Sequence, residues 1–179
     1  PVVLLGARML WDKGLGELVE AVRQLRRRGL SFRCLFLGDP DPQNPTSVSA
    51  QQLSQWAEQG LIEWLPRTVE VARHLREATL ACLPSYREGL PLFLAEAAAA
   101  GRACVTTDVP GCRSVVEDGV TGLVVPARDA DRLAAALGRL LEDAPLRHRM
   151  AENGRRLAVE RFSKDIVTQQ IFAVYESLL

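Results

Sequence analysis

Net charge is the first thing this 179-residue chain lacks: 22 Lys and Arg balance 22 Asp and Glu, and the pI is near 7.2. That balance removes the electrostatic drive for bulk binding to nucleic acid, and no nucleic-acid partner is expected. The basic run "RQLRRRG" (Arg23 to Gly29) reads as the solvated end of a helix, with a local docking patch as the alternative. There is no C-x-x-C pair. Of Cys34, Cys82, Cys104 and Cys112, three fall in apolar runs that read as strands, so free, buried thiols in a reducing compartment are expected. Histidine is nearly absent. His74 and His148 stand apart in Arg-rich helical segments and read as surface positions rather than ligands. No signal peptide is visible, and the longest apolar runs are about ten residues, short of the roughly twenty that span a bilayer. A cytoplasmic location is expected. G-x-x-x-x-G-K-[ST] and G-x-S-x-G are both missing, which argues against a P-loop NTPase and an α/β-hydrolase. "GLG" at Gly14 to Gly16 has no third glycine and lies too far past the first strand for a dinucleotide fingerprint. No repeat or low-complexity segment occurs. The opening on "PVVLLG" without Met suggests a piece of something longer.

What is present is an ordinary globular composition, 47% hydrophobic and 25% charged, long enough to bury one core. Short apolar runs alternate with helical periodicity. "VVLLG" (2–6), "FRCLFLG" (32–38), "LIEWL" (61–65), "TLACLP" (79–84), "ACVTT" (103–107) and "GLVVP" (122–126) read as strands. Leu15, Leu18, Val19, Val22 and Leu25 mark an amphipathic helix ended by Gly29. Further helices are expected at about 49–59, 69–77, from Pro91 to Gly101, after Asp129 and Asp131, from Pro145, and from a Ser163 cap. The alternation predicts an α/β domain over 1–179: a Rossmann-like, doubly wound parallel sheet with helices on both faces.

Four features fall at strand C-terminal ends, where this architecture places its site. Arg8 and Lys13 flank the turn before the first helix, and two cations beside a helix N-terminus suit a polyanion such as a diphosphate. Solvated charges fit the spacing equally. Gly38, at the start of the irregular loop 38–47, would let a ligand approach the backbone. "Asp39-Pro40-Asp41" spells D-x-D, a metal-holding pattern in some transferases, but in a Pro-rich loop it reads first as turn chemistry, and no metal is assigned. Glu88-Gly89-Leu90-Pro91 feeds a helix whose first amides would hold a phosphate. Glu96 is the one polar residue from Leu90 to Ala100, so a buried carboxylate is expected there, paired with a hydroxyl, a cation or water. An internal ion pair to an Arg is as good a reading. "DVPGCRSVVEDGVTG" (108–122) reads as a turn-rich connector, with a wall of the same cleft as the alternative.

Taken together, "ARMLWDKG", "LFLGDPD" and "LPSYREGLPLFLAEAAAAGRACVTTDVPGCRSVVEDGVTGLVVPARD" resemble the C-terminal, nucleotide-sugar-binding half of glycosyltransferase family 4, of GT-B fold. The resemblance covers essentially the whole chain. Its specific elements are Glu88, within "PS-x-x-EG-x-P", and Glu96, with seven residues between the two glutamates, and the Arg8-to-Gly14 motif. It implies a retaining transferase using a sugar nucleotide, most often a UDP-sugar. The nearest relatives it suggests move N-acetylated hexosamines onto lipid-linked carriers in bacterial surface polysaccharide assembly. By this resemblance Arg8, Lys13 and Glu88 carry the chemistry. The cations and the amides around Gly89, Leu90 and Pro91's neighbour Leu92 hold the diphosphate; Glu88 contacts the sugar and Glu96 the ribose. Gly38, Asp39 and the backbone from Leu65 to Arg67 lie near the base. No cofactor and no metal are implied, the nucleotide-sugar being a substrate. Three departures stand out: Ser114 where the family commonly has glutamate, "LPRT" (65–68) where many relatives have a polar pair, and Leu92 where many have lysine. The acceptor site, for a saccharide or lipid-linked acceptor, belongs in this picture to an N-terminal domain outside this chain. The full enzyme could associate peripherally with a membrane. The rival readings are a nucleotide-binding regulatory module and a sugar-nucleotide epimerase; the histidines and acid/base residues the latter needs are missing.

Overall fold

The computed structural model describes residues 1–177. Six parallel strands form one sheet in the order β3-β2-β1-β4-β5-β6. They are β1 (Val2–Gly6), β2 (Arg33–Leu37), β3 (Glu63–Leu65), β4 (Leu80–Leu83), β5 (Ala103–Thr107) and β6 (Gly122–Val125). The first three strands run outward from β1 in one direction and the last three in the other, so the winding reverses between β1 and β4. This is the expected Rossmann-like doubly wound architecture. At such a switch point the loops leaving neighbouring strand ends diverge and open a crevice. "LIEWL" delivers only three residues to the ladder; Leu61 and Ile62 are buried lead-in.

The pleat divides the apolar strand residues between two layers. Val3, Leu5, Cys34, Phe36, Leu80, Cys82 and Val105 face one side. There they meet α1 (Leu15–Arg27), α2 (Ala50–Glu58), α6 (Ala130–Glu142) and the first turns of α7 (Ala144–Phe162). Leu4, Leu35, Ala81, Leu83 and Cys104 face the other, against α3 (Val71–Glu77), α4 (Leu92–Ala99) and α5 (Pro110–Arg113). Both faces of each central strand are therefore covered, which is why these strands read as unbroken apolar runs. All four cysteines are free and buried in these layers. Burial pushes the Cys34 and Cys104 thiols up to about 12.

Local chemistry sets the ends. Ser49, Asp129 and Asp143 each accept a hydrogen bond from a first-turn amide of α2, α6 and α7. Asp143 thus starts the helix expected from Pro145. Ser163 sits before α8 (Lys164–Glu176), but its side chain makes no capping bond. α4 ends in a Schellman motif: Arg102 N–H bonds to Ala97 O and Gly101 N–H to Ala98 O, with Gly101 at φ +67°. Pro91 is the residue preceding α4 rather than its first residue. The 108–122 stretch is not all turn, because α5 buries Gly111 and Cys112.

Candidate functional site

The connector leaving β1 and the loop leaving β2 are joined along their length. Met9 N–H bonds to Asp39 O at 2.9 Å, Trp11 N–H to Thr46 O at 2.8 Å, and Val48 N–H to Met9 O at 2.8 Å. The long Pro-rich loop is thereby a fixed wall. Gly38 has φ +147° and is buried; a Cβ there would stand 1.9 Å from the Ala7 carbonyl oxygen. The close approach that requires glycine is thus to β1's own continuation.

These walls enclose one side of a cleft of about 470 Å³ at the C-terminal ends of the strands. Arg8, Gly38, Asp39 and Arg67 line it together with Phe93 and Glu96 from α4. The structure therefore brings together residues from four separate stretches of the predicted site. Asp39 Oδ1 accepts from the Arg67 amide at 3.2 Å, and Gly38 N–H donates to Leu65 O at 3.0 Å, so loop 38–39 and segment 65–67 form one rim. Arg8 Nη1 lies 2.8 Å from Asp41 Oδ2, with both side chains partly in solvent. The two aspartates of the D-x-D are thus turned to different partners. Among the described residues no three His, Cys, Asp or Glu side chains gather to hold a metal ion.

Glu96 does not meet the expectation drawn from its neighbours. α4 buries Phe93, Leu94, Ala95, Ala97 and Ala98 and exposes Leu92 and Glu96, one turn apart on a single strip. The carboxylate is exposed at the cleft, so no desolvation cost calls for a partner, and among the described residues no cation pairs with it. The internal ion pair is overturned with the burial.

Beside the cleft, across the switch point, stands a second cluster. Gly14, at φ +71°, packs so tightly on Pro84 that a Cβ would lie 2.1 Å from its carbonyl oxygen, and Tyr86 N–H bonds to Asp12 O at 2.8 Å. This docks the 11–14 turn on the 84–88 turn and carries Lys13 to Glu88. Lys13 Nζ lies 2.6 Å from Glu88 Oε1, and the two side chains are only 18% and 12% exposed. Ser85 Oγ donates to the same Oε1 at 2.6 Å, and Ser85 is fully buried. Thr107 Oγ1 donates to Ser85 O, and Thr106 Oγ1 to Leu83 O at 2.7 Å, extending the β4–β5 pairing past the last strand residue. α5 closes the far side: a Cβ on Gly111 would stand 2.3 Å from the carbonyl oxygens of Glu88 and Gly89. Stretch 108–122 therefore lies against the Glu88 turn, while none of its residues lines the Arg8 cleft. Gly89 and Leu90 are exposed, and α4 has no side-chain cap on its first amides.

Sequence reasoning passed over Tyr86, Glu17 and Arg128. Tyr86 Oη donates to Glu17 Oε1 at 2.6 Å while the Arg128 guanidinium sits 4.1 Å above the ring. Burial and then the Glu17 bond push the Tyr86 hydroxyl up to about 12. Arg128 holds φ +63°, the one positive value outside glycine among the described residues. Ser85 was within reach of the sequence: it stands three residues before Glu88, on the same tight turn. Ser114 is exposed, with its hydroxyl on Gly111 O at 2.7 Å.

A strand-end cleft with flanking cations is common to many doubly wound proteins, and comparison with known proteins separates them. Residues 1–157 match the family model described as "Glycosyl transferases group 1". The chain belongs to that family. It is 30% identical over 179 residues to the N,N'-diacetylbacillosaminyl-diphospho-undecaprenol alpha-1,3-N-acetylgalactosaminyltransferase of Campylobacter jejuni, covering 100% of this chain and 45% of that protein. Among solved structures, sucrose-phosphate synthase of Thermosynechococcus elongatus superimposes with TM-score 0.87 at 27% identity, over 99% of this chain and 45% of the other. HepE of Anabaena, solved in complex with UDP and glucose, gives TM-score 0.87 at 22% identity over 98% of this chain and 48% of its own, and shows the shared fold. The chain spans about half the length of the relatives it matches. No helix among the described residues is long and apolar enough to cross a membrane.

Proposed function

We propose that this group 1 glycosyl transferase domain is the donor-binding half of a retaining glycosyltransferase of family 4 and GT-B fold. Its substrate in this reading is a UDP-sugar, with an N-acetylated hexosamine as the sugar. The acceptor is a lipid-linked saccharide in bacterial surface polysaccharide synthesis, held by an N-terminal domain outside this chain. The observation that carries the reading is the meeting of Lys13, Glu88 and the uncapped start of α4 beside the Arg8 cleft. The UDP bound by HepE and the undecaprenyl-linked reaction in the name of the Campylobacter relative support the choice of donor and acceptor class.

In this reading the diphosphate lies between Arg8, Lys13 and the amides of Gly89, Leu90 and Leu92. As the bond between the anomeric carbon and the β-phosphate oxygen breaks, negative charge grows on that oxygen. Preorganised cations and helix-terminal amides stabilise it most when it is fully developed. Both cations are engaged internally, Arg8 with Asp41 and Lys13 with Glu88, so donor binding exchanges carboxylate partners for phosphate. Glu88 meets sugar hydroxyls, the exposed Glu96 takes the ribose hydroxyls, and the 38–39/65–67 rim faces the base. The row Val167, Ile171, Val174 and Tyr175 on α8, all exposed, supports a second domain as its cover.

The deciding experiment is product analysis of the full-length enzyme by mass spectrometry and NMR with UDP-, GDP- and ADP-sugars and lipid-linked acceptors. A product with the anomeric configuration of the donor is expected from a UDP-sugar. Inversion, or no transfer from any nucleotide-sugar, overturns the reading.

A further inference from the structure

We propose that Ser85 is a positioning residue that holds Glu88 in place when the donor draws Lys13 away. The proposal rests on the reading of Glu88 as the contact to the donor sugar. Lys13 Nζ and Ser85 Oγ both reach the same oxygen, Oε1, each at 2.6 Å. Oε2 makes no hydrogen bond among the described residues, yet it is not among their buried unpartnered atoms. One oxygen is thus committed to the protein and the other is presented outward.

The two donors to Oε1 differ in what they can do. Lys13 is a flexible cation at the edge of a site that must attract a diphosphate. Once a diphosphate takes a share of its charge, its hold on Glu88 weakens, because the ammonium serves both anions. Ser85 has no such competitor. It is fully buried, and the backbone around it is fixed on three sides. Thr107 Oγ1 donates to its carbonyl, Thr106 Oγ1 donates to Leu83 O, and Gly14 presses on Pro84 O. A hydroxyl with a single rotatable bond on a fixed backbone gives a carboxylate one orientation at little entropic cost. A hydrogen bond to a charged group is also among the stronger side-chain bonds, so its loss is measurable.

The test compares nucleotide with nucleotide-sugar. Protein NMR titrations of this chain, which read weak dissociation constants, are run with UDP and UDP-N-acetylglucosamine and with GDP and GDP-mannose. The variants are Ser85→Ala, Glu88→Ala and the double variant. Ser85→Ala is expected to leave the affinity for the nucleoside diphosphate within about twofold while weakening the nucleotide-sugar by about tenfold. Glu88→Ala is expected to weaken the nucleotide-sugar too, and Ser85→Ala to add nothing on top of it. Equal loss for nucleotide and nucleotide-sugar, or additive effects in the double variant, would show general damage and overturn the positioning role. If Glu88→Ala weakens the nucleotide-sugar and Ser85→Ala does not, Ser85 is excluded while the donor reading stands. If Glu88→Ala has no effect, or neither pair binds, the donor reading itself fails and takes this inference with it.

Discussion

Arg8 and Asp41, 33 positions apart, form an ion pair at 2.8 Å on the rim of the cleft. The Asp41 carboxylate therefore occupies the guanidinium that the proposed diphosphate needs. Asp41→Asn is expected to strengthen UDP binding by roughly two- to fivefold, since an exposed pair is worth at most about 1 kcal/mol. Uridine, which has no phosphate, should bind both forms alike. Calorimetry reads both, and weaker UDP binding by the variant would give Asp41 the opposite role.

Glu96 is exposed and, among the described residues, has no cationic partner, so it contributes little to the fold. Glu96→Ala should leave the melting temperature within about a degree or two, as surface changes do. Affinity for UDP should fall by about tenfold, while 2′-deoxy-UDP, lacking a hydroxyl, should lose less. Equal affinities of variant and parent for UDP would remove the ribose role.

Gly14 and Gly29 both hold φ in the left-handed region, +71° and +87°, but only Gly14 has backbone against its Cβ position. Gly29→Ala should cost about 1 kcal/mol, the conformational term alone. Gly14→Ala should cost that and the displacement of the Pro84 carbonyl, about 2–4 kcal/mol in all. Urea midpoints of the two variants measure the difference. Similar losses would show that the 11–14 turn moves away from the 84–88 turn at little cost.

The thiols of Cys34 and Cys104, pushed up to about 12 by burial, are neutral in the folded chain over a wider range than when unfolded. Their raised values contribute stability that is present below about pH 9 and lost as pH rises toward 12. Tyr86, also raised to about 12, acts in the same direction from about pH 10 upward. The urea midpoint should therefore fall steadily from pH 8.5 to pH 11, roughly following these titrations. At pH 8 a thiol-specific reagent should label the folded chain slowly and label all four cysteines in denaturant. Rapid labelling of the folded chain would refute their burial.

The alternating strands and helices were legible because the patterns are strong here: β1 and β4 are apolar throughout, β2 and β5 carry apolar runs, and α1 and α6 carry clear apolar stripes. Arg8, Asp39 and Glu96 could be named as a group because a doubly wound sheet gathers strand ends, whatever their spacing in the chain, and Arg67 joined them through the family resemblance. What stayed hidden depends on distance in space rather than in sequence. No local pattern says that Asp41 turns to Arg8, or that Gly38 is a glycine because Ala7 lies against it. Glu96 shows the opposite error. Its apolar neighbours imply burial only if all of α4 is enclosed, and the strip of Leu92 and Glu96 is the part left open.

Gly111 rests directly on the peptide backbone of Glu88 and Gly89, with no room for a methyl group between them. The turn bearing Glu88 and the short helix α5 must therefore change as one module. A chimera that transplants segment 84–92 from another group 1 domain would inherit a turn shaped for a different α5. Moving 84–92 together with 106–113 carries both halves of the contact, along with the two threonines that hold the end of β4. The 11–14 turn, packed as closely on Pro84, completes the set of segments that must be exchanged together.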